Sequence, residues 1–249
     1  MTTRPPSSAT LAHSTRFWDK TARKYAASAV GDVAGYEHTL QRVRHRLRPT
    51  DRVLELGCGT ATTALRLAPA TAHYTAADLS PAMVDIAHQK LADAPPDVHH
   101  MLYLVVADAD APLPAPRPKG WAGAATAETA SQGTGLDALG WDVVLAFNLL
   151  HLVPDLDHTL AQVVRHLRPG GLFISKTACI AHMNPLVPHV ALPLMRLLRL
   201  APPVHVLTED RLLSAIERSG LSIESLEHHA TPKRGRDWRP YVVARKPVA

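Results

Sequence analysis

The stretch Val53-Leu54-Glu55-Leu56-Gly57-Cys58-Gly59-Thr60-Ala61 decides how the rest of this chain is read. Apolar residues with one acid among them run into Gly-x-Gly. Thr62-Thr63-Ala64-Leu65-Arg66-Leu67 follows with helical spacing, so a buried strand turns directly into a helix, expected over Ala61–Leu67. Glycines at such a turn let a ligand approach the backbone, and the helix start points unpaired N–H groups at it. A dinucleotide-binding turn, G-x-G-x-x-G, would place glycine where Thr62 stands, which weakens a nicotinamide-linked oxidoreductase reading. Glu55, two residues before the first glycine, suits a ligand that carries an ammonium group and no pyrophosphate.

Working outward, strand and helix signals alternate from residue 51 onward, the pattern of a parallel sheet with crossover helices. Val53–Leu56 is the first strand. His73–Ala77 is the second and ends in Asp78. Ser80-Pro81 then starts a helix, with serine as cap and proline at the first helical position. A third strand, Met101–Ala107, ends in Asp108. The fourth, Trp141–Phe147, is apolar through its centre, as a strand covered on both faces should be. A helix over about 156–167 stops at Arg168-Pro169-Gly170-Gly171, and Leu172–Thr177 is the fifth strand. Thr208-Glu209-Asp210 opens a helix that Gly220 ends. Ser222–His228 and Trp238–Arg245 are two last strands whose short connection requires one to run antiparallel. The expected fold is therefore α/β, a Rossmann-like doubly wound sheet of seven mostly parallel strands with an antiparallel last strand, helices on both faces and a helical cap.

The chain has 249 residues, 46% hydrophobic and 20% charged, which fits one globular domain over residues 15–249 behind a Thr/Pro/Ser-rich tail at 1–14. Within it we expect an N-terminal helical cap at 15–50, a ligand-binding core at 51–178, a second cap at 179–207, and a C-terminal helix and hairpin at 208–249. The tail lacks an apolar run of signal-peptide length, and two cysteines, Cys58 and Cys179, make no disulfide framework. A reducing, cytoplasmic setting is expected. The net charge of +5 permits an anionic partner without requiring one. Arg42-Val43-Arg44-His45-Arg46-Leu47-Arg48 reads as the solvated end of a helix, and Lys233-Arg234-Gly235-Arg236 lies in a hairpin loop, so no nucleic acid is expected. Fifteen histidines bring no metal-binding spacing, and His99-His100 and His228-His229, read as strand neighbours, point to opposite faces, so no metal is expected. Residues 110–140 are Ala/Pro/Gly/Thr-rich and far longer than a usual connection. They read as an inserted surface loop, or as a lid anchored by Trp121. The apolar stretch Leu186–Leu207 is broken by prolines and arginines, which argues against a membrane span. It reads as a roof for an apolar acceptor, through Leu186, Val190, Leu194, Met195 and Leu198, or as packing against the sheet alone.

The spacing from Glu55 to Ala61 resembles motif I of the class I S-adenosylmethionine (SAM)-dependent methyltransferases, with Ala61 where the family usually has glycine. Phe17-Trp18-Asp19 with Tyr25, Asp78, Asp108, Asn148-Leu149-Leu150-His151 and Arg168-Pro169-Gly170-Gly171-Leu172 stand in that family's order. The resemblance is to small-molecule members with a ubiquinone/menaquinone-methyltransferase-like core. It implies S-adenosyl-L-methionine as methyl donor and S-adenosyl-L-homocysteine as product. It places Glu55, Gly57, Cys58, Gly59, Asp78, Leu79, Met83, Asp108, Ala109, Asn148 and Leu149 at the cofactor: Glu55 towards the methionine end, Asp78 towards the ribose diol, Leu79 and Met83 towards the adenine face, Asp108 with Ala109 towards the adenine amino group. Met83 is equally ordinary as helix core. His151 at the mouth of strand four and Tyr25 are the leading candidates for a catalytic base, followed by His182 and His205. A small, hydrophobic methyl acceptor is the expected partner. An RNA or protein methyltransferase, or a non-catalytic SAM-binding protein, is the alternative. The acceptor, the atom methylated and the oligomeric state are not written in the sequence.

Overall fold

The computed structural model describes residues 8–111, 140–182, 204–229 and 239–248. Two helices, α1 (Ser8–Ala27) and α2 (Val33–Arg44), precede the first strand β1 (Arg52–Leu56). Then follow α3 (Thr62–Leu67), β2 (His73–Asp78), α4 (Pro81–Ala92), α5 (Pro96–Met101), β3 (Leu102–Val106) and β4 (Trp141–Phe147). The described remainder comprises α6 (Leu156–His166), β5 (Leu167–Lys176), α7 (Glu209–Arg218), β6 (Ser222–His228) and β7 (Pro240–Arg245). Among the described residues the strands form one seven-stranded sheet in the order β3-β2-β1-β4-β5-β7-β6. Only β7 runs against its neighbours, antiparallel to both β5 and β6, so the last strand is the reversed one, as expected.

Side-chain alternation along the strands builds two cores. On one face Val53, Tyr74, Leu104, Val143, Leu145 and Ile174 pack with residues of α2 to α5, such as Leu40, Leu67 and Ala87. On the other, Leu54, Leu56, Val144, Ala146 and Phe173 pack with Leu160 and Val163 of α6 and Leu212 and Ile216 of α7. Covering both faces explains why β1, β2, β4 and β7 are buried nearly throughout. The order reverses between β1 and β4. The carboxyl ends of these two strands therefore open the crevice in which ligands of such sheets bind. At the opposite end of the sheet, burial alone would raise the Asp142 carboxyl. The Arg52 N–H and the Arg168 and Arg52 guanidiniums outweigh it and hold it below the usual carboxylate range.

Several expectations change in detail. α1 begins at Ser8, inside the stretch read as a tail. His99 and His100 lie in α5, not in a strand: Pro95-Pro96 starts a helical turn ahead of β3, which runs only from Leu102. The Pro169-Gly170-Gly171 turn does not lie outside the fifth strand. Leu167 already pairs with Trp141, and the irregularity between Trp141 and Val143 absorbs the extra residues. The basic run that closes α2 is not merely solvated. Arg42 places a two-pronged hydrogen bond on Glu227, and Arg46 reaches Glu224, which ties the N-terminal cap to the edge strand β6. Trp121, most of the long loop, the segment Leu186–Leu198, Lys233–Arg236 and Trp238 lie outside the described residues. No helix among the described residues is long and apolar enough to cross a membrane.

Candidate active site

Gly57 and Gly59 adopt φ of +66° and +55°, a region that side-chain-bearing residues enter at a cost. A Cβ on Gly57 would lie 2.8 Å from Leu149 Cδ1. One on Gly59 would meet the Tyr25 ring at 3.4 Å. The turn thus brings β1, the mouth of β4 and helix α1 to one point. Ala61 caps α3 with φ 57°, the left-handed conformation that a glycine takes without strain. Asn148 shows φ 52° at the end of β4, where its N–H donates to the Lys176 carbonyl at 2.7 Å. Asparagine tolerates this conformation better than most side chains.

Asp78 organises the turn. Its Oδ2 accepts the Gly59 N–H at 2.8 Å and its Oδ1 the Ser80 N–H at 2.9 Å, and each oxygen retains a second lone pair. Burial raises its pKa while these two bonds lower it. Ser80 caps α4 by accepting from Met83 N and donates its own hydroxyl to Asp19 of α1 at 2.5 Å. Asp19 also accepts the Ala82 N–H, so α1 is pinned to the start of α4. That pin holds Tyr25 over Gly59, with Trp18 edge-on to it at 6.3 Å.

Glu55 is the most unusual group. It is 2% exposed, accepts the Tyr74 hydroxyl at 2.7 Å, and burial pushes its carboxyl up to about 8. Met83 is buried in α4, whereas Leu79 is partly exposed. The Cys58 N–H is taken by the Ala77 carbonyl, and burial raises its thiol far above the ordinary range, so Cys58 serves as packing within the turn. Asp108 sits beside the turn because the Ala107 N–H donates to the Asp78 carbonyl. Its Oδ1 accepts the Asp110 N–H, and Ala109 packs on the α6 face of the sheet.

The two catalytic candidates come out less basic, or less acidic, than their free forms. His151 is partly buried; desolvation first, then the Arg239 and His205 charges beside it, bring it down to about 4. It is therefore a neutral imidazole at physiological pH and a weak base. Tyr25 is 52% exposed, yet partial desolvation of its hydroxyl against the turn, with the Asp78 and Glu55 charges near, raises its pKa and keeps it a neutral phenol. The His205 N–H binds the His151 carbonyl, and His182 ends a short helical turn, Ile180–His182, after β5.

The structure also assembles residues that the sequence did not single out. Tyr36, Thr39, Phe147, Lys176 and Arg239, together with the expected Asn148, line a cavity of about 220 Å³ over the ends of β4 and β5. Lys176 was legible as a cation ending the apolar run Leu172-Phe173-Ile174-Ser175; Arg239 was not, because only the β5–β7 pairing brings it there. His38, Glu227 and His229 place possible metal-ligand atoms within 4.8 Å of one another. The Arg42 fork on Glu227, which holds that carboxylate down to about 2, makes this group an ion-pair cluster and opposes a divalent cation.

A glycine turn at a β1/β4 switch point, with acids closing the next two strands, is the arrangement of the class I, SAM-dependent methyltransferase fold, and the core of this chain has that fold. Residues 54–173 match the family described as "Methyltransferase domain". The chain is 31% identical over 166 residues, 65% of its length, to the highly reducing polyketide synthase aurA of Calcarisporium arbuscula, of which the match spans 6%. It is 34% identical over 126 residues to the 27-O-demethylrifamycin SV methyltransferase of Amycolatopsis mediterranei, covering 50% of this chain and 38% of that one. The chain thus spans well under two thirds of either relative. A S-adenosylmethionine-dependent methyltransferase from Mesorhizobium loti shares the fold with a TM-score of 0.59 at 20% identity, over 86% of this chain and 98% of that one.

Proposed function

We propose that this chain transfers a methyl group from S-adenosyl-L-methionine to a small, largely hydrophobic acceptor in the cytoplasm. The observation that carries the reading is the turn itself: two left-handed glycines clamped by Asp78 and opening onto the mouth of β4. The residues fit the donor. The Gly57–Gly59 cradle would fill if either glycine gained a side chain, the Glu55 carboxyl stands directly before it where an ammonium would favour its charged form, and Asp78 and Asp108 offer acceptors for the ribose and the adenine amino group.

When bound, the donor supplies an activated methyl group on a sulfonium, and the chain has to align the acceptor and exclude water. Tyr25 and α1 close over the turn from one side. Asn148 and Leu149 bound the reacting region from the other. His151 can take a proton from the acceptor only as a weak base, so an acid limb of the rate profile near pH 4, rather than near 6.5, is expected if it does so. Unchanged turnover in His151→Ala, with donor binding intact, would remove it from the chemistry.

The rifamycin enzyme acts, by its name, on a small molecule, and the polyketide synthases make small molecules too, which supports a small-molecule acceptor over RNA or protein. A thermal-shift titration with SAM, S-adenosylhomocysteine and NAD is expected to raise the melting temperature with the two sulfur ligands and leave it unmoved with NAD. No response to either sulfur ligand would overturn the reading. Binding without turnover on any acceptor, tested with labelled SAM on phenols, thiols, quinone precursors and total RNA, would favour a non-catalytic SAM-binding protein.

A further inference from the structure

We propose that the methyl acceptor carries a carboxylate, held by Lys176 and Arg239 at the far wall of the cavity; this rests on the methyltransferase reading above. The cavity begins at Thr63, beside the glycine turn, and runs across the sheet. Lys176 ends β5, and Arg239 directly precedes β7. With the order β1-β4-β5-β7, they stand two and three strands from the turn, about 10 and 14 Å at the usual strand spacing. The two cations therefore lie on the acceptor side of β4, away from the strand that carries the donor turn.

The Lys176 ammonium is held in place. Its Nζ donates to Thr39 Oγ1 at 2.8 Å, and Thr39 Oγ1 lies 3.0 Å from His229 Nδ1. His229 Nε2 in turn lies 3.0 Å from Glu227 Oε2, on the carboxylate that Arg42 grips. The Thr39 hydroxyl donates its one hydrogen to the Gly35 carbonyl at 2.7 Å, so towards Lys176 it acts as the acceptor and ties the ammonium to α2. Asp32 is the acid on the cavity wall, and its Oδ1 accepts the Gly35 N–H as the cap of α2. Among the described lining residues, two cations stand against one acid, a formal charge of +1, and the five N–H donors of Arg239 and three of Lys176 can serve more than one partner each. A guanidinium fork next to a point-like ammonium matches the two oxygens of a carboxylate. Phe147 and Leu40, on the same cavity, suit an apolar body attached to that group.

The test is calorimetry on the full chain saturated with S-adenosylhomocysteine, titrated with benzoate and with the uncharged isostere benzamide. Benzoate is expected to bind about tenfold or more tightly than benzamide. In Lys176→Met and in Arg239→Met the ratio should fall towards one, while affinity for S-adenosylhomocysteine stays within about twofold, with circular dichroism melts confirming the fold. Equal binding of benzoate and benzamide by the wild-type chain overturns the proposal. So does a folded variant that loses S-adenosylhomocysteine in step with benzoate, since the cations would then serve the donor's own carboxylate. Failure of the wild-type chain to bind S-adenosylhomocysteine overturns the methyltransferase reading, and this proposal with it.

Discussion

Glu55→Gln is expected to melt higher than the wild-type protein, by an amount that grows with pH, while binding SAM more weakly. Burial pushes the Glu55 carboxyl to about 8, so the folded chain keeps a proton there that the unfolded chain releases above its ordinary value of 4.5. A group with a raised folded pKa stabilises the fold fully below 4.5 and loses that contribution as pH rises through 8. The full span corresponds to roughly 5 kcal/mol, an upper bound that protein relaxation will reduce. Glutamine can still accept the Tyr74 hydroxyl and carries no such penalty. At pH 9 the variant should therefore gain on the order of 10 °C in melting temperature, and at pH 4.5 almost nothing. Equal melting curves at both pH values would show that the carboxyl ionises freely in the folded chain. The same group should make SAM binding proton-linked, since an ammonium beside it favours the charged form. Calorimetry in two buffers of different ionisation enthalpy should register proton release near pH 7 in the wild type and none in the variant. A stabilised variant with a weaker ligand is the usual signature of a group retained for function.

Asp78→Ala should have the opposite effect on stability and the larger effect on affinity. The alanine leaves the Gly59 and Ser80 N–H groups without their acceptor, at about 1–3 kcal/mol for each that stays dry. It also removes the carboxylate assigned to the ribose diol. Affinity for S-adenosylhomocysteine should fall about 100-fold or more, in line with losing a charged hydrogen-bond acceptor and loosening the turn. These two causes separate in a cycle with adenosine and 2′,3′-dideoxyadenosine. The wild type should discriminate between them, and Asp78→Ala should not. If the alanine variant keeps the same preference for the diol, Asp78 acts only by holding the turn.

Much of this was legible locally. Gly57 and Gly59 are readable because the backbone conformation they permit is a property of the residue, and Ser80-Pro81 because a cap and a first-turn proline act within one helical turn. The burial of β4 followed from its unbroken apolar centre. Where the reading slipped, a non-local pairing or a short local signal won. Leu167 is a strand residue because Trp141 is across from it, and His99 is helical because Pro95-Pro96 starts a turn that the following β-prone residues mask.

The alternation of strands and helices in the core, its reversed last strand and the glycine turn were thus determined by sequence alone, since each depends on residue type and spacing within a few positions. Only the tertiary structure decided the electrostatics and the acceptor side. Glu55 is an ordinary acid until Tyr74 and two layers of core remove its water. His151 loses most of its basicity only where it is partly buried beside Arg239. Lys176 and Arg239, which stand far apart in the chain, share a wall because β7 inserts beside β5. Desolvation and charge proximity depend on distances across the sheet, and those are set by packing rather than by neighbours in the chain.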